Sequence, residues 1–338
     1  MKPITIIGGG LAGLSLGIAL RRRDVPVILH EATCYPRHRV CGEFINGVGD
    51  DTLRTLGIAD LLADARPLSS TAWFRNGSAI YRTRLEVPAR GVSRYRLDAR
   101  LADRFAGLGG DLRLRDRVDE TGEEGEVVTT GRRPTRPGRW LGLKIHVEGL
   151  PLEADLEMHL GSQGYLGLAP VEDGRVNVCG LLERSEAVGG RGVERFLGYL
   201  RLNGLHGLEE RLRSATLDAD SLTGISAFTL GTQAGDADRC ALGDAERMIP
   251  PFTGNGMSMA FEAAETAVPW LVDYATGRRA WGDSVREIRS ALDERFRTRI
   301  TAAGILHPLL LAASGQALLG ALGRFGMIPF QPLSRFLR

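Results

Sequence analysis

The sequence has 338 residues, of which 43% are hydrophobic and 25% are charged. This length and composition are typical of a folded globular chain with one large domain or two smaller ones, and they exclude a low-complexity chain. The 43 basic residues nearly balance the 41 acidic ones, so the charge indicates no nucleic-acid partner.

The four cysteines, at residues 34, 41, 179 and 240, form no C-x-x-C pair. No histidine lies near them at the spacing of metal ligands, so we predict no metal site. Unpaired cysteines are typical of a reducing compartment. The first predicted strand begins close to the first residue, which leaves no room for a cleaved leader, and we expect a cytoplasmic protein.

A buried strand, a glycine-rich turn and a helix follow one another at the start of the chain. The apolar residues Ile4–Ile7 predict the strand, and residues 8–13, GGGLAG, fit the pattern G-x-G-x-x-G. A second apolar run at 25–29 predicts another strand, which is soon followed by Glu31. This order predicts a strand–turn–helix–strand unit that binds a dinucleotide.

Each glycine of the motif has a physical role. Gly8 allows the tight turn, Gly10 lets a pyrophosphate approach the backbone, and Gly13 lets the helix pack on the strand. The free N–H groups at the helix start hold the anion, and the Glu31 carboxylate can accept hydrogen bonds from a ribose diol. The predicted cofactor contacts in this unit are Gly8, Gly10, Leu11, Ala12, Gly13, Glu31 and Ala32.

The loop over residues 32–44 contains Pro36 and many polar side chains. Arg37 and Arg39 lie where a second cofactor phosphate could be reached, and the alternative for both is a solvated loop arginine. Beyond the loop, the apolar spacing predicts a helix over 50–65 that is broken near Gly57. Residues 71–86 predict a β-hairpin whose turn is at residues 76–77, and residues 93–106 lead into a helix.

The longest β-rich region covers residues 140–182, where apolar and polar residues alternate in several runs. We predict an antiparallel sheet that forms a separate layer. Helices near 193–202 and 208–212 are expected to cover one of its faces.

A second group of candidate cofactor-binding residues lies at residues 243–267. Asp244 follows an apolar strand and a glycine, so its carboxylate can accept from a ribityl hydroxyl at the edge of a sheet. The segment 254–257 opens a helix whose N–H groups can stabilise the negative charge of a reduced flavin. The predicted cofactor contacts here are Asp244, Gly254, Asn255, Gly256 and Met257.

Residues 301–323 carry no formal charge, although histidine, proline, glutamine and glycines dilute their hydrophobicity. A buried helix or a pocket lid is the favoured interpretation. The alternative is peripheral contact with a membrane through residues 301–338, lying on its surface and not crossing it.

Five stretches together resemble the p-hydroxybenzoate-hydroxylase-like superfamily of FAD-dependent oxidoreductases, and within it the geranylgeranyl-reductase-like branch. These stretches are GGGLAG with Glu31, VCGEF at 40–44, SRYRLD at 93–98, GYLGLAP at Gly164–Pro170 and GDAERMIPPFTGNGM at 243–257. They extend over most of residues 1–275.

The resemblance implies an α/β protein with a Rossmann-like FAD-binding domain, an inserted antiparallel β-sheet substrate domain and a helical C-terminus. The FAD-binding domain would be discontinuous and contain residues 1–70, 91–135 and 236–275. The substrate domain would contain 71–90 and 136–235, and the helical C-terminal region 276–338.

The resemblance also implies roles for single residues. Arg94 would contact the FAD phosphates or ribose, and Asp244 would contact the ribityl chain. Cys41 and Gly42 would lie beside the isoalloxazine ring. No catalytic residue is identified; Glu43 is a candidate acid or base, with a helix-capping or solvated carboxylate as the alternative. Cys41 is a second candidate, with packing against the ring as the favoured interpretation.

The leading functional hypothesis is a monooxygenase that hydroxylates a hydrophobic molecule, which would be aromatic, polyketide-like or lipid-like. One alternative is a reductase of C=C bonds, and another is a flavin protein that only relays electrons. NAD(P)H or a separate electron donor would supply the electrons. The chain lacks the W-x-W-x-I-P pattern of flavin halogenases. The predicted substrate contacts are Tyr165, Pro251 and Phe252.

Overall fold

The computed structural model describes residues 1–132, 138–226, 230–233, 238–324, 328, 330, 331 and 336. In chain order, the strands are β1 (Ile4–Ile7), β2 (Val27–Glu31), β3 (Phe44–Ile45), β4 (Arg66–Arg75), β5 (Ser78–Gly91), β6 (Asp111–Leu114), β7 (Glu126–Val128), β8 (Trp140–Glu148), β9 (Leu156–Gly161), β10 (Gly164–Pro170), β11 (Arg175–Glu183), β12 (Thr216–Ile225), β13 (Gly231–Thr232) and β14 (Arg247–Met248). The helices are α1 (Leu11–Arg21), α2 (Asp50–Leu56), α3 (Arg94–Gly107), α4 (Gly192–Leu202), α5 (His206–Arg213), α6 (Gly256–Ala275), α7 (Trp281–Leu311) and α8 (Ala313–Arg324).

Four strands form a parallel sheet in the order β6-β2-β1-β7. Its central strands are apolar because helices cover them, and Ile4 and Leu29 have no exposed surface. Val128 at the end of β7 pairs in parallel with Ala241. That pairing brings Asp244 to the carboxyl edge of the sheet, beside the glycine-rich turn between β1 and α1. The predicted strand–turn–helix–strand unit is confirmed.

Eight strands form the second sheet, in the order β12-β8-β11-β10-β9-β4-β5-β3. Neighbouring strands are antiparallel except β4 and β9, which run parallel from the pair Thr71–Leu156 onward. The sheet is therefore mixed, whereas the sequence analysis predicted an antiparallel one. The difference arises because the β4–β5 hairpin, from a distant part of the chain, pairs with β9.

The two faces of the second sheet have different neighbours because side chains alternate along each strand. Ile145, Val178 and other residues of one face pack against Leu200 of α4 and Leu212 of α5, as predicted. The other face turns toward the first sheet, and a cavity lies against it.

Two local predictions are confirmed by the backbone. α2 ends at Leu56, and Gly57 adopts a left-handed conformation with φ of +77° before a short 3-10 helix over Ala59–Leu62. Asn76 and Gly77, with φ of 51° and 75°, form the turn between β4 and β5, as a two-residue hairpin turn requires.

The predicted apolar segment 301–323 forms the end of α7 and most of α8. Just before this segment, a buried ion pair between Arg299 of α7 and Glu262 of α6 joins the two helices. Among the described residues, no single helix is long and apolar enough to cross a membrane, although α7 and α8, bent by 96°, meet that test as a pair. Parts of the segment 301–338 and the proposed domain boundaries at 135/136 and 235/236 lie outside the described residues.

Candidate functional site

The glycine-rich turn between β1 and α1 is shaped to receive a ligand at one position. A Cβ on Gly8 would lie 2.5 Å from the Thr129 carbonyl oxygen, and a Cβ on Gly13 would lie 2.1 Å from the Gly8 oxygen. A Cβ on Gly10 would meet nothing within 4 Å. The turn is therefore closed by protein at Gly8 and Gly13, and it is open at Gly10, where the first N–H groups of α1 lack helical partners.

Glu31 at the end of β2 is almost fully buried and fixes the same turn. Its carboxylate accepts hydrogen bonds from the N–H of Gly9 at 2.9 Å, from Thr33 Oγ1 at 2.7 Å and from Arg37 at 2.8 Å. Burial raises the pKa of Glu31, but Thr33, Arg37 and Arg39 outweigh it and hold the pKa below its ordinary value. Glu31 is therefore ionised at neutral pH, and Ala32 follows it at the carboxyl edge. The ribose contact of Glu31 stays a prediction.

Arg39 and Arg94 converge on one carboxylate. Asp98, which has no exposed surface, accepts from Arg94 Nε at 2.6 Å and from Arg94 Nη2 at 2.8 Å, and Arg39 Nε lies 3.2 Å from it. Burial lowers the pKa of Arg39 to about 10, so it is charged at neutral pH. Arg39 also lies 3.6 Å from Glu31, which pairs with Arg37, so three arginines face two carboxylates and leave one net positive charge beside the open turn. Sequence analysis missed Asp98, although it lies one helical turn after Arg94.

Gly243 lies close to both of the predicted helices, α1 and α6. A Cβ on Gly243 would lie 3.3 Å from the Cβ of Ala12 in α1 and 4.0 Å from the Cβ of Ala260 in α6. Asp244 therefore sits between the amino ends of α1 and α6. Burial raises the pKa of Asp244, while Arg94 and Arg132 oppose the rise.

The start of α6 also has an open position. A Cβ on Gly254, whose φ is +68°, would lie 2.1 Å from the Phe44 ring, whereas one on Gly256 would meet nothing within 4 Å. Between them, Asn255 has no exposed surface, and neither its Oδ1 nor its Nδ2 has a hydrogen-bond partner among the described residues. Met257 follows in the first turn of α6 and is buried. Buried amide groups are normally paired, so these observations fit a bound polar cofactor.

A cavity of about 260 Å³ extends from Asp244, in the groove between the amino ends of α1 and α6, toward the second sheet. Asp244, Arg132, Cys41 and Gly42 line the end of the cavity nearest this groove, and most of the remaining wall is apolar. The predicted substrate contacts Tyr165, Pro251 and Phe252 all lie on the wall. Leucines of the C-terminal helices also line it, namely Leu306, Leu309, Leu310 and Leu319, which agrees with the lid interpretation of that segment.

Cys41 and Cys179 both line the cavity as free thiols. Burial raises the pKa of both. Both are therefore protonated at neutral pH, and a protonated thiol is a poor nucleophile. This geometry favours packing over thiolate chemistry for Cys41.

Glu43 lies behind the Cys41–Gly42 loop and not on the cavity wall. It has no exposed surface, and its Oε2 lies 2.5 Å from His146 Nε2. Its Oε1 accepts from the N–H of Arg94 at 3.1 Å and lies 3.6 Å from Lys144 Nζ. Glu43 therefore holds a buried charge cluster beneath the loop predicted to touch the flavin.

Lys144 and His146 were not among the predicted site residues. Lys144 has no exposed surface and lies 2.9 Å from His38 Nδ1. One signal was available, because Lys144 is one of only two lysines in the chain and interrupts an apolar strand. His38, His146 and Asp218 lie close enough together to suggest metal ligands, but the neighbouring Lys144 Nζ occupies the same cluster, and we assign no metal there.

No protein-family model matches this chain, and no curated protein is significantly similar to it. Solved structures resemble it over nearly its whole length. PqsL of P. aeruginosa in complex with 2-aminobenzoylacetate has a TM-score of 0.74 at 15% identity, covering 94% of this chain and 99% of that one. The flavin-dependent brominase Bmp2 has a TM-score of 0.76 at 15% identity, covering 99% and 93%.

A third similar structure is HpxO of Klebsiella pneumoniae complexed with FAD and uric acid. Its TM-score is 0.73 at 17% identity, covering 98% of this chain and 97% of that one. At these identities the likeness establishes the fold alone. The predicted fold class is confirmed, with a parallel sheet, a large second sheet and a helical C-terminus.

Proposed function

We propose that this protein is an FAD-dependent monooxygenase that hydroxylates a hydrophobic small molecule. The observation that carries this proposal is that the groove beside Asp244 is continuous with the cavity. The groove between the amino ends of α1 and α6 shares Asp244 with a largely apolar cavity. A redox cofactor in the groove would therefore face a hydrophobic molecule in the cavity.

The residues of the groove have complementary roles in holding FAD. The open turn at Gly10 would receive the diphosphate, and the net positive charge around Arg39 and Arg94 would help to neutralise it. Asp244 would accept hydrogen bonds from the ribityl chain, and Asn255 would gain partners for its unpaired amide. When bound, FAD would supply the redox chemistry by taking electrons from a donor and activating oxygen.

The chain itself would exclude water from the reaction. Pro251 and Phe252 cover one side of the cavity, and α7 and α8 close another side with leucines. An apolar enclosure protects reactive species from hydrolysis and strengthens the electrostatic interactions inside it. Because the thiols of Cys41 and Cys179 are protonated, they would form part of this apolar wall.

Two of the similar proteins of known structure support this proposal. PqsL is described as a probable FAD-dependent monooxygenase, and HpxO was crystallised with FAD. We therefore place the chain in the p-hydroxybenzoate-hydroxylase-like superfamily as part of this proposal. The narrower geranylgeranyl-reductase-like branch rests only on the sequence patterns at 40–44, 93–98 and Gly164–Pro170.

The test is oxygen-dependent turnover by the purified, flavin-loaded protein. With NAD(P)H or chemically reduced flavin as donor, we expect oxygen uptake that rises in the presence of hydrophobic aromatic compounds, and incorporation of ¹⁸O from ¹⁸O₂ into the product. Anaerobic reoxidation of the reduced protein by an unsaturated lipid would instead support the reductase alternative. Oxygen uptake with no labelled organic product would contradict hydroxylation.

Replacing Asp244 by alanine is expected to weaken FAD binding by about 10- to 100-fold, because hydrogen bonds to a charged acceptor contribute about 1.5–3 kcal/mol. Quenching of flavin fluorescence during reconstitution of the apoprotein measures this change. Asp244→Asn keeps the shape and some hydrogen bonding, so a smaller loss is expected. An Asp244→Ala protein that binds FAD like the wild type would exclude the ribityl role.

A further inference from the structure

The outer side of the two C-terminal helices is apolar and exposed. Ile305 of α7, at 64%, is the most exposed large apolar side chain among the described residues, and Leu309 and Leu318 are 41% and 54% exposed. Large apolar side chains grouped on a surface indicate an interaction site. The exposed residues continue through the bend between α7 and α8, and together they form the elbow patch: Ile305, Pro308, Leu309, Ala312, Ala313 and Leu318.

The inner side of the bend is held against the protein. α7 and α8 meet at 96°, and a Cβ on Gly315 would lie 2.2 Å from the Leu309 carbonyl oxygen, so the two helices are in close contact there. The buried Gln316 amide donates to the Leu310 carbonyl at 2.8 Å and to the Gly161 carbonyl of the second sheet at 2.8 Å. These contacts fix the bend and leave its outer side to a partner.

The sequence around the elbow patch is basic. Residues 295–338 contain six arginines and no aspartate, glutamate or lysine, whereas the whole chain has a net charge of only +2. Arg295 and Arg299 pair with acidic residues of α6, and the other four arginines give the region an excess of positive charge. Arg297 is exposed and precedes Ile305 by about two turns of α7.

The positive charge favours an anionic lipid surface over a second copy of this chain as the partner. In a symmetric dimer the same patch meets itself, so two groups of arginines would come together and repel each other. An anionic bilayer offers the opposite charge, and each basic residue near its surface strengthens binding by about 5-fold. The bilayer also accepts apolar side chains at the boundary between headgroups and acyl chains.

We propose that the elbow patch docks this protein on the surface of an anionic lipid bilayer. The apolar side chains would enter the boundary beneath the headgroups, and the arginines would contact the headgroups themselves. The two helices would lie on the membrane and not cross it, because their inner side packs against the protein through the buried residues Ala303, Leu310 and Gln316.

The elbow patch and the cavity share a side chain. Leu309 is exposed on the patch and also lines the cavity, and Leu306, Leu310 and Leu319 of the same helices line it as well. An apolar molecule dissolved in the bilayer would therefore meet the docked protein at a wall of the cavity. This route for a substrate rests on the proposed function, whereas the docking itself does not.

Sedimentation of lipid vesicles with the purified, flavin-loaded protein tests the docking. One set of vesicles contains phosphatidylcholine alone, and the other contains an equal mixture of phosphatidylcholine and the anionic phosphatidylglycerol. We expect binding to the mixed vesicles to be at least about 10-fold tighter. This binding should weaken in about 1 M salt, where the screening length falls to about 3 Å.

Glutamine substitutions separate the apolar contribution from the charge. The double variant Ile305→Gln with Leu318→Gln should bind mixed vesicles about 10-fold or more weakly, because two apolar side chains would no longer enter the bilayer. Arg297→Gln should weaken this binding by about 5-fold and leave binding to neutral vesicles unchanged.

Leu202→Gln is the matched control. Leu202 is 40% exposed at the end of α4, which covers the opposite face of the second sheet, so this variant should bind vesicles like the wild type. All the substituted positions are exposed, and an unchanged melting temperature and flavin content will report that each variant is folded.

Failure of the wild type to sediment with mixed vesicles, or equal binding by the double variant, would overturn the proposal. A dimer seen by analytical ultracentrifugation and abolished in the double variant would also overturn it, because the elbow patch would then belong to a second copy. Vesicle binding by a protein that forms no hydroxylated product would contradict the monooxygenase assignment alone. Hydroxylation of an aromatic compound by a protein that does not bind vesicles would contradict the docking alone.

Discussion

A Gly10→Glu protein is expected to fold normally and to contain no flavin. A side chain at residue 10 meets no atom within 4 Å of its Cβ, so the substitution does not strain the turn. The glutamate would project into the space assigned to the diphosphate and place a negative charge beside it. We expect FAD affinity to fall by at least about 100-fold, equivalent to about 2.8 kcal/mol.

The measurement combines absorbance of the purified protein with thermal unfolding. Wild-type protein should be yellow, and added FAD should raise its melting temperature because the ligand binds only the folded state. Gly10→Glu should be colourless, should melt like wild-type apoprotein and should not respond to FAD. Retention of bound flavin would contradict the assignment of this turn to the diphosphate.

Two other glycines provide controls with opposite expectations. Gly107→Glu adds the same charge at an exposed position where a Cβ also meets nothing within 4 Å, so flavin content should not change. Gly13→Ala would place a methyl group 2.1 Å from the Gly8 oxygen, so it should destabilise the fold itself. Within the same glycine-rich motif, these variants distinguish Gly10, which leaves space for the ligand, from Gly13, which is required for packing.

The sequence predicted the parts of the site that local chemistry determines. The turn at Gly8, Gly10 and Gly13 depends on neighbouring residues, and so does the helix start at Gly256. Each therefore leaves a pattern that can be recognised without knowing the fold. The hairpin at residues 76–77 and the break at Gly57 were predictable for the same reason, because left-handed backbone favours glycine and asparagine.

The parts that were missed depend on the register of distant strands. Glu43 meets His146 across 103 positions of sequence, and that contact exists only because β8 places His146 on the inner face of the second sheet. Asp98 becomes a partner of Arg39 only when α3 packs beside the loop that contains Arg39. In the sequence, His307 only dilutes an apolar segment, since nothing local shows that α7 returns to the cavity.

The buried cluster around Glu43 leads to the second large prediction, which concerns stability. Removing one partner of a buried ion pair costs about 3–5 kcal/mol, because the other charge stays buried without compensation. In Glu43→Ala, Lys144 and His146 would lose their carboxylate, and the N–H of Arg94 would lose its acceptor. We expect the free energy of unfolding, measured with urea, to fall by about that amount.

The charge explanation differs from a simple packing loss in two measurable ways. A double variant, Glu43→Ala with Lys144→Met, removes both charges and should recover much of the loss, since buried pairs replaced by apolar groups are often tolerated. Burial lowers the pKa of Lys144 already, and loss of Glu43 would lower it further. The folded variant would then bind fewer protons than the folded wild type, so its stability should rise more steeply than that of the wild type as the pH rises toward about 10.4, the ordinary lysine value.

Glu43→Gln is the conservative control, because the amide oxygen can still accept from the N–H of Arg94 while the charge is absent. Its loss of stability should fall between wild type and Glu43→Ala. If the free energy of unfolding of Glu43→Ala lies within about 1 kcal/mol of the wild-type value, which is the upper end of what an exposed ion pair usually contributes, the cluster contributes no more than a surface ion pair. Glu43 is completely buried behind the cavity wall, so its loss should cost more than that of a surface partner. A loss of stability this small would therefore contradict the role of Glu43 as the carboxylate that compensates the charge of Lys144.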